Sequence, residues 1–108
     1  MAKKSNKDVN GTSFHDSEIR ASVNQKIEAF GEPSYENNDG SDKVNFEWDM
    51  ETENGEVFTI YDWKEYRRIS KNEIIEWHIG GHSVEVTEKA AEEIEESLNN
   101  LQFTRLGR

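Results

Sequence analysis

The chain has 108 residues, 32% of them hydrophobic and 33% charged, with no cysteine and a net charge of −10. That length supports one modest core, and without thiols neither a disulfide framework nor a thiolate metal site can form. Residues 1–13 and 102–108 carry +2 each, so residues 14–101 hold −14, a field that repels nucleic acid and membrane surfaces and attracts basic partners.

Residues 1–12, MAKKSNKDVNGT, lack periodicity and read as a disordered lead without the apolar h-region of a signal peptide. No later run approaches the roughly 20 apolar residues of a membrane span, so the expectation is a soluble cytoplasmic protein. From Ser13 a capping-box variant, with Asp16 and Ser17 as alternative caps, opens a predicted helix. Its apolar stripe is Ile19, Val23, Ile27 and Phe30, and it stops at Gly31 before Glu32-Pro33. Residues 34–43 are a polar loop.

Apolar and polar residues then alternate through Val44, Phe46, Trp48 and Met50, and Asn54-Gly55 supplies the pair that a type I′ turn demands, which predicts a β-hairpin. In that register Met50 faces Thr59, Trp48 faces Tyr61 and Phe46 faces Trp63, a ladder of rings suited to a core. The other face pairs Glu51 with Phe58, Asp49 with Ile60 and Glu47 with Asp62. Like charges directly opposite are destabilising by a few tenths of a kcal/mol up to about 1, so a face that tolerates them points to function.

Residues 64–72 break the alternation and gather Lys64, Arg67, Arg68 and Lys71. A third strand follows over 73–80, with Ile75, Trp77 and Ile79 on one face and Ile74, Glu76 and His78 on the other, ended by Gly80-Gly81. Residues 83–86 fit either a short extended piece or a first helical turn. Thr87 caps a last helix with the stripe Ala90, Ile94, Leu98 and Leu101 and an outer face of Glu88, Glu92, Glu93, Glu95 and Glu96; residues 102–108 form a flexible tail. The sum is one α+β domain over 13–101. It is a two-layer α-β-β-β-α arrangement with a three-stranded antiparallel sheet and both helices packed on one face.

The uncovered sheet face would display Glu47, Asp49, Glu51, Phe58, Ile60, Asp62, Ile74, Glu76 and His78. Apolar groups set among acids suit a protein partner with a basic surface, a second copy of the chain included. The alternative is a nucleotide-like anion held by Lys64, Arg67 and Arg68 with His78, Gly80, Gly81 and His82. Two histidines astride Gly80-Gly81, with His15 as a distant third, lack the spacing of a metal site, and no cofactor is implied. No P-loop, dinucleotide fingerprint or nucleophile elbow is present, which disfavours enzymatic chemistry. An acidic domain offers phosphates little counter-charge, so direct nucleic-acid binding is not expected; such a surface can instead mimic a phosphate backbone.

The Lys-rich lead, TIYDWK at 59–64 and WHIGG at 77–81 resemble small accessory proteins of tailed bacteriophages. That resemblance covers at most residues 14–101 and implies a protein that binds and inhibits a host protein, without assigning any residue a role.

Overall fold

A computed structural model describes the backbone of residues 1–106 and side chains through residue 101. Eight elements follow in order: β1 (Lys3–Lys4), β2 (Ser13–Ala21), α1 (Val23–Phe30), β3 (Tyr35–Glu36), β4 (Phe46–Glu51), β5 (Val57–Tyr61), β6 (Ile75–Gly81) and α2 (Val84–Leu106). The fold is α+β, with helices on one face of an antiparallel sheet of six strands rather than three. The strand order is β1-β4-β5-β6-β2, and β3 shares the outer edge of β4 with β1. Residues 1–12 are thus not a loose lead. Lys3 and Lys4 pair with Glu51 and Met50, and Ala2 is buried. The side chains of the expected tail, 102–108, lie outside the described residues, while the backbone of α2 continues through Leu106.

The predicted first helix begins nine residues late. Ser13–Ala21 is a strand paired with β6, and the capping box that operates is Ser22-x-x-Gln25. The Ser22 hydroxyl accepts from the Gln25 amide at 3.1 Å, and the Gln25 side chain accepts from the Ser22 amide at 2.8 Å. Ile19 and Val23 misled because four residues is a shared-face spacing in a helix and, being even, in a strand as well. A bulge between Phe14 and Glu18, where Asp16 takes φ 71°, absorbs the irregularity in the strand. At the other end of the sheet the 83–86 ambiguity resolves as helix, with Ser83 Oγ accepting from the Val86 amide.

The hairpin forms one residue out of the expected register. Gly55 has a positive φ, 82°, and Asn54 does not, so the turn is not type I′. The Thr52 carbonyl accepts from Gly55 and the Thr52 amide donates to Glu56, which closes a three-residue loop of type I turn plus left-handed glycine. The Thr52 hydroxyl also accepts from the Glu56 amide. Met50 therefore faces Phe58, Trp48 faces Ile60 and Glu47 faces Tyr61. Since side chains alternate, one step turns all of β5 over. Phe58 and Ile60, expected on the open face, are fully buried, at roughly 1.5–3 kcal/mol each. That gain exceeds what any turn preference supplies and decides the register.

The core is Phe46, Trp48, Met50, Phe58, Ile60, Ile75, Trp77 and Ile79 from the sheet. It is closed by Ile19, Ala21, Val23, Ile69, Ala90 and Ile94. Trp48 and Trp77 meet edge to face at 5.8 Å, and their indole N–H groups donate to the Gly31 and Ala21 carbonyls. Between them lies Lys26 from α1, with no exposed surface and its Nζ 2.9 Å from the Trp77 ring centroid and 4.5 Å from that of Trp48. Burial lowers its pKa to about 6, opposed by Asp62. The ring faces favour the ammonium by about 2 kcal/mol when desolvated. Asp62 is buried too, so it cannot join an exposed acidic face. Its carboxylate accepts from the Asn45 and Phe46 amides, and burial raises its pKa against those bonds.

Lys26 is protonated in the unfolded chain up to about 10.5 and deprotonates near 6 in the folded one, so stability rises with pH across that window. Lys26→Met is expected to flatten this rise in chemical denaturation, and to compare best with the parent at the acid end of the window, where the parent has lost most stability.

Candidate functional site

The two helices cover one face of the sheet, and the register sets the composition of the other. Direct cross-strand partners Tyr35, Glu47, Tyr61, His78 and Glu18 form one row across β3, β4, β5, β6 and β2. Around that row the rings cluster. Phe14 stacks on His78 at 3.9 Å, Trp63 lies over His78 at 6.2 Å, and Tyr61 meets Trp63 edge to face at 6.0 Å and 83°. Gly80 is required beside them, since a Cβ there would come within 2.7 Å of Thr59 Oγ1 and 3.4 Å of the Tyr61 ring. Trp63 keeps 40% of its surface exposed and Tyr35 44%.

Two adjoining depressions open on this face and share Val44, Glu47 and Trp63. One, of about 360 Å³, runs under residues 9–12 past Thr59 and Tyr61; the other, of about 520 Å³, runs out past Lys43 and Asp42 to Tyr35. They make an open trough with aromatic walls and Glu47 as its innermost charge.

The acids expected to act together on this face have separate fates. Glu51 accepts from Ser5 Oγ at 2.8 Å and pairs with Lys7 at 3.2 Å and Lys3 at 3.6 Å, which hold it below the usual carboxylate range; the N-terminal residues neutralise it. Glu47, half-buried, is pushed up to about 7, first by burial and then by Asp49. Asp49 Oδ1 is buried with no hydrogen-bond donor among the described residues, and this carboxylate beside Glu47 adds to the rise of the Glu47 pKa. Glu76 pairs with Arg20 at 3.3 Å at the surface and hydrogen-bonds Glu18, which raises Glu18. His78 is lowered by burial among its rings. Phe58, Ile60 and Asp62 are in the core, and the expected Glu47–Asp62 pairing does not form; Ile74 is exposed but precedes β6.

The expected anion site is not assembled either. Arg67 is held by Glu73 at 2.6 Å and by Glu65 at 3.3 Å, and Arg68 lines a separate depression with Asn38 and Lys71. Asn38 bonds both the amide and the carbonyl of Ile69, which fixes this loop against residues 37–45. Of the basic cluster Lys64 alone approaches the rings, 5.4 Å from the Trp63 centroid. Gly81 and His82 lie at the far end of β6, where the space beside Gly81 is filled by Thr87 and His82 packs near Gly11. His15 Nε2 lies 3.2 Å from the Gly81 carbonyl oxygen. Among the described residues no three His, Cys, Asp or Glu side chains converge as a metal site.

The residues that sequence reasoning missed are Phe14, Tyr35, Tyr61 and Trp63. Alternation from a two-residue turn places the last two on the core face, and the signal against that lies in the chain itself: the observed register removes the Glu47–Asp62 repulsion. A second concentration of acid lies on α2, where Glu85, Glu88, Glu92, Glu95 and Glu96 are exposed. Glu93, buried, instead accepts from the Glu53 amide at 3.0 Å. Among the described residues no helix is long and apolar enough to cross a membrane. Compared with known proteins, the chain matches no family model, no curated protein and no solved structure.

Because Glu47 binds its proton more tightly in the folded state than its ordinary 4.5, folding stability falls as pH rises from there to about 7. Glu47→Gln removes that loss, so the variant is expected to be more stable than the parent above pH about 7, and the two to converge below the ordinary carboxylate value, in paired thermal melts.

Proposed function

We propose that this chain is a non-enzymatic acidic binding protein whose partner is a protein with a basic surface, and that α2 supplies the acidic surface. The observation that carries it is the outward stripe Glu85, Glu88, Glu92, Glu95 and Glu96. These positions share one side of the helix and span roughly 16 Å at 1.5 Å per residue. The nearby cation, Lys89, is drawn back to Glu53 at 3.4 Å and Glu93 at 3.9 Å, which leaves the stripe without an ion pair among the described residues of its own element.

The open sheet face is a weaker candidate for broad electrostatic contact, since Glu51 is neutralised by Lys3 and Lys7 and Glu47 is only partly ionised near neutral pH. Of the apolar patch Phe58, Ile60 and Ile74 that suggests a homodimer, Phe58 and Ile60 are inside the core and Ile74 alone is exposed. Inhibition of a basic host protein, as the resemblance to phage accessory proteins implies, fits a regular row of carboxylates that presents itself as a phosphate backbone does.

In capture from a cell lysate at low salt, Glu88→Lys/Glu92→Lys is expected to lose proteins that the parent retains, and high salt to release them from the parent. Glu32→Lys/Glu36→Lys, which changes net charge equally at exposed positions away from α2, is expected to keep them. Equal loss by both variants would reduce the effect to net charge, and retention by the α2 variant at every salt concentration would sink the proposal.

A further inference from the structure

The trough on the open sheet face stands apart from α2 and has a chemistry of its own. Tyr61 and Trp63 are perpendicular, giving one ring face and one ring edge as adjoining walls, and Tyr35 lies across Glu47 from them. Ring faces attract cations, and Trp63 already does so: Lys43 Nζ is 5.9 Å and Lys64 Nζ 5.4 Å from its centroid. Yet among the described residues neither lysine, nor any other cation, forms an ion pair with Glu47. Glu51, on the same strand and the same face, has three partners in Ser5, Lys3 and Lys7. The chain thus satisfies one outward carboxylate of β4 and leaves another at the bottom of an aromatic trough.

We propose that the trough formed by Tyr35, Glu47, Tyr61 and Trp63 binds an arginine side chain carried on an extended segment of another polypeptide. A guanidinium matches this lining better than an ammonium, because its plane stacks on a ring while its fork of N–H groups meets a carboxylate. An anion is opposed by Glu47 and by Asp42 at the rim. A chain segment suits the shape better than a free cation, since the two depressions run on either side of Glu47 as an open channel rather than an enclosed cage. The site does not depend on α2 engaging anything.

Glu47 is faced by Asp49 on its own strand, Tyr35 on β3, Tyr61 on β5 and Asp42 and Lys43 from the preceding loop, with His78 beyond Tyr61 and Lys64 beyond Trp63. An entering guanidinium stabilises the ionised acid, so binding releases a proton and weakens as pH falls through about 7.

The test is a titration of the full chain with a short Gly/Ser peptide bearing one arginine, and with its citrulline counterpart, followed by NMR of the Trp63 indole N–H. Trp48 and Trp77 donate to carbonyls in the core, so their signals serve as internal references. The arginine peptide is expected to shift Trp63 and the citrulline peptide to bind on the order of tenfold more weakly. Glu47→Gln should weaken the arginine peptide to a similar degree and abolish the pH dependence. Trp63→Leu, read from the Tyr61 ring signals, should weaken it as well. Glu88→Lys/Glu92→Lys should leave peptide binding unchanged whether or not it loses lysate partners, which separates this site from the α2 surface. Equal binding of both peptides, or parent-like binding by Glu47→Gln, would overturn the proposal. So would methylguanidinium binding as tightly as the peptide, which would make the ligand a free small cation.

Discussion

The pairing of Trp48 with Ile60 fixes more of this protein than any other contact. It requires the hairpin to close through Thr52 and Gly55 with three residues in the loop, and it turns Phe58 and Ile60 into the core and Tyr61 out of it. β6 then follows β5, with Ile79 opposite Ile60 and His78 opposite Tyr61, and β2 follows β6. A shift of one residue would exchange the two faces of β5 and place a hydroxyphenyl ring where the helices pack. The aromatic row on the open face is therefore a by-product of how the core is satisfied, and both faces of the molecule derive from the same loop.

Electrostatics on this scaffold are sorted by distance from water. In the interior, Lys26 and Asp62 are both driven toward their neutral forms, the amine by burial between two indoles and the acid by burial against two backbone amides. At half-depth, Glu47 is pushed up to about 7, first by burial and then by the second carboxyl group that stands beside it. Fully outside, the acids of α2 remain free to set the long-range field, which acts over roughly a Debye length of 8–10 Å. The net charge alone distinguishes none of these settings.

The sequence was legible where one period had no competitor. The first hairpin strand, the third strand and the α2 stripe Ala90 and Ile94 stand where alternation and helical spacing placed them, while β5 is a strand with its two faces exchanged. It misled where a short-range signal had two solutions. Ser13 and Ser22 both begin plausible capping boxes, and the second prevails because Ile19 and Ala21 can be buried only by pairing β2 with β6. Asn54-Gly55 favours a two-residue turn, and burial of Phe58 and Ile60 outweighs it. The strand made by Lys3 and Lys4 could not be read at all, since two lysines carry no apolar pattern. What holds them is the free edge of β4 and the charge of Glu51.

Both margins of the sheet are irregular. Along β4 the outer edge is taken by two separate two-residue strands, and along β2 the ladder is broken by the bulge at Asp16. Neither margin offers an unbroken run of backbone donors and acceptors, so a foreign strand has no long template on which to zip up. Aggregation by edge-to-edge growth is discouraged for the same reason, and recognition of this molecule is left to its side chains.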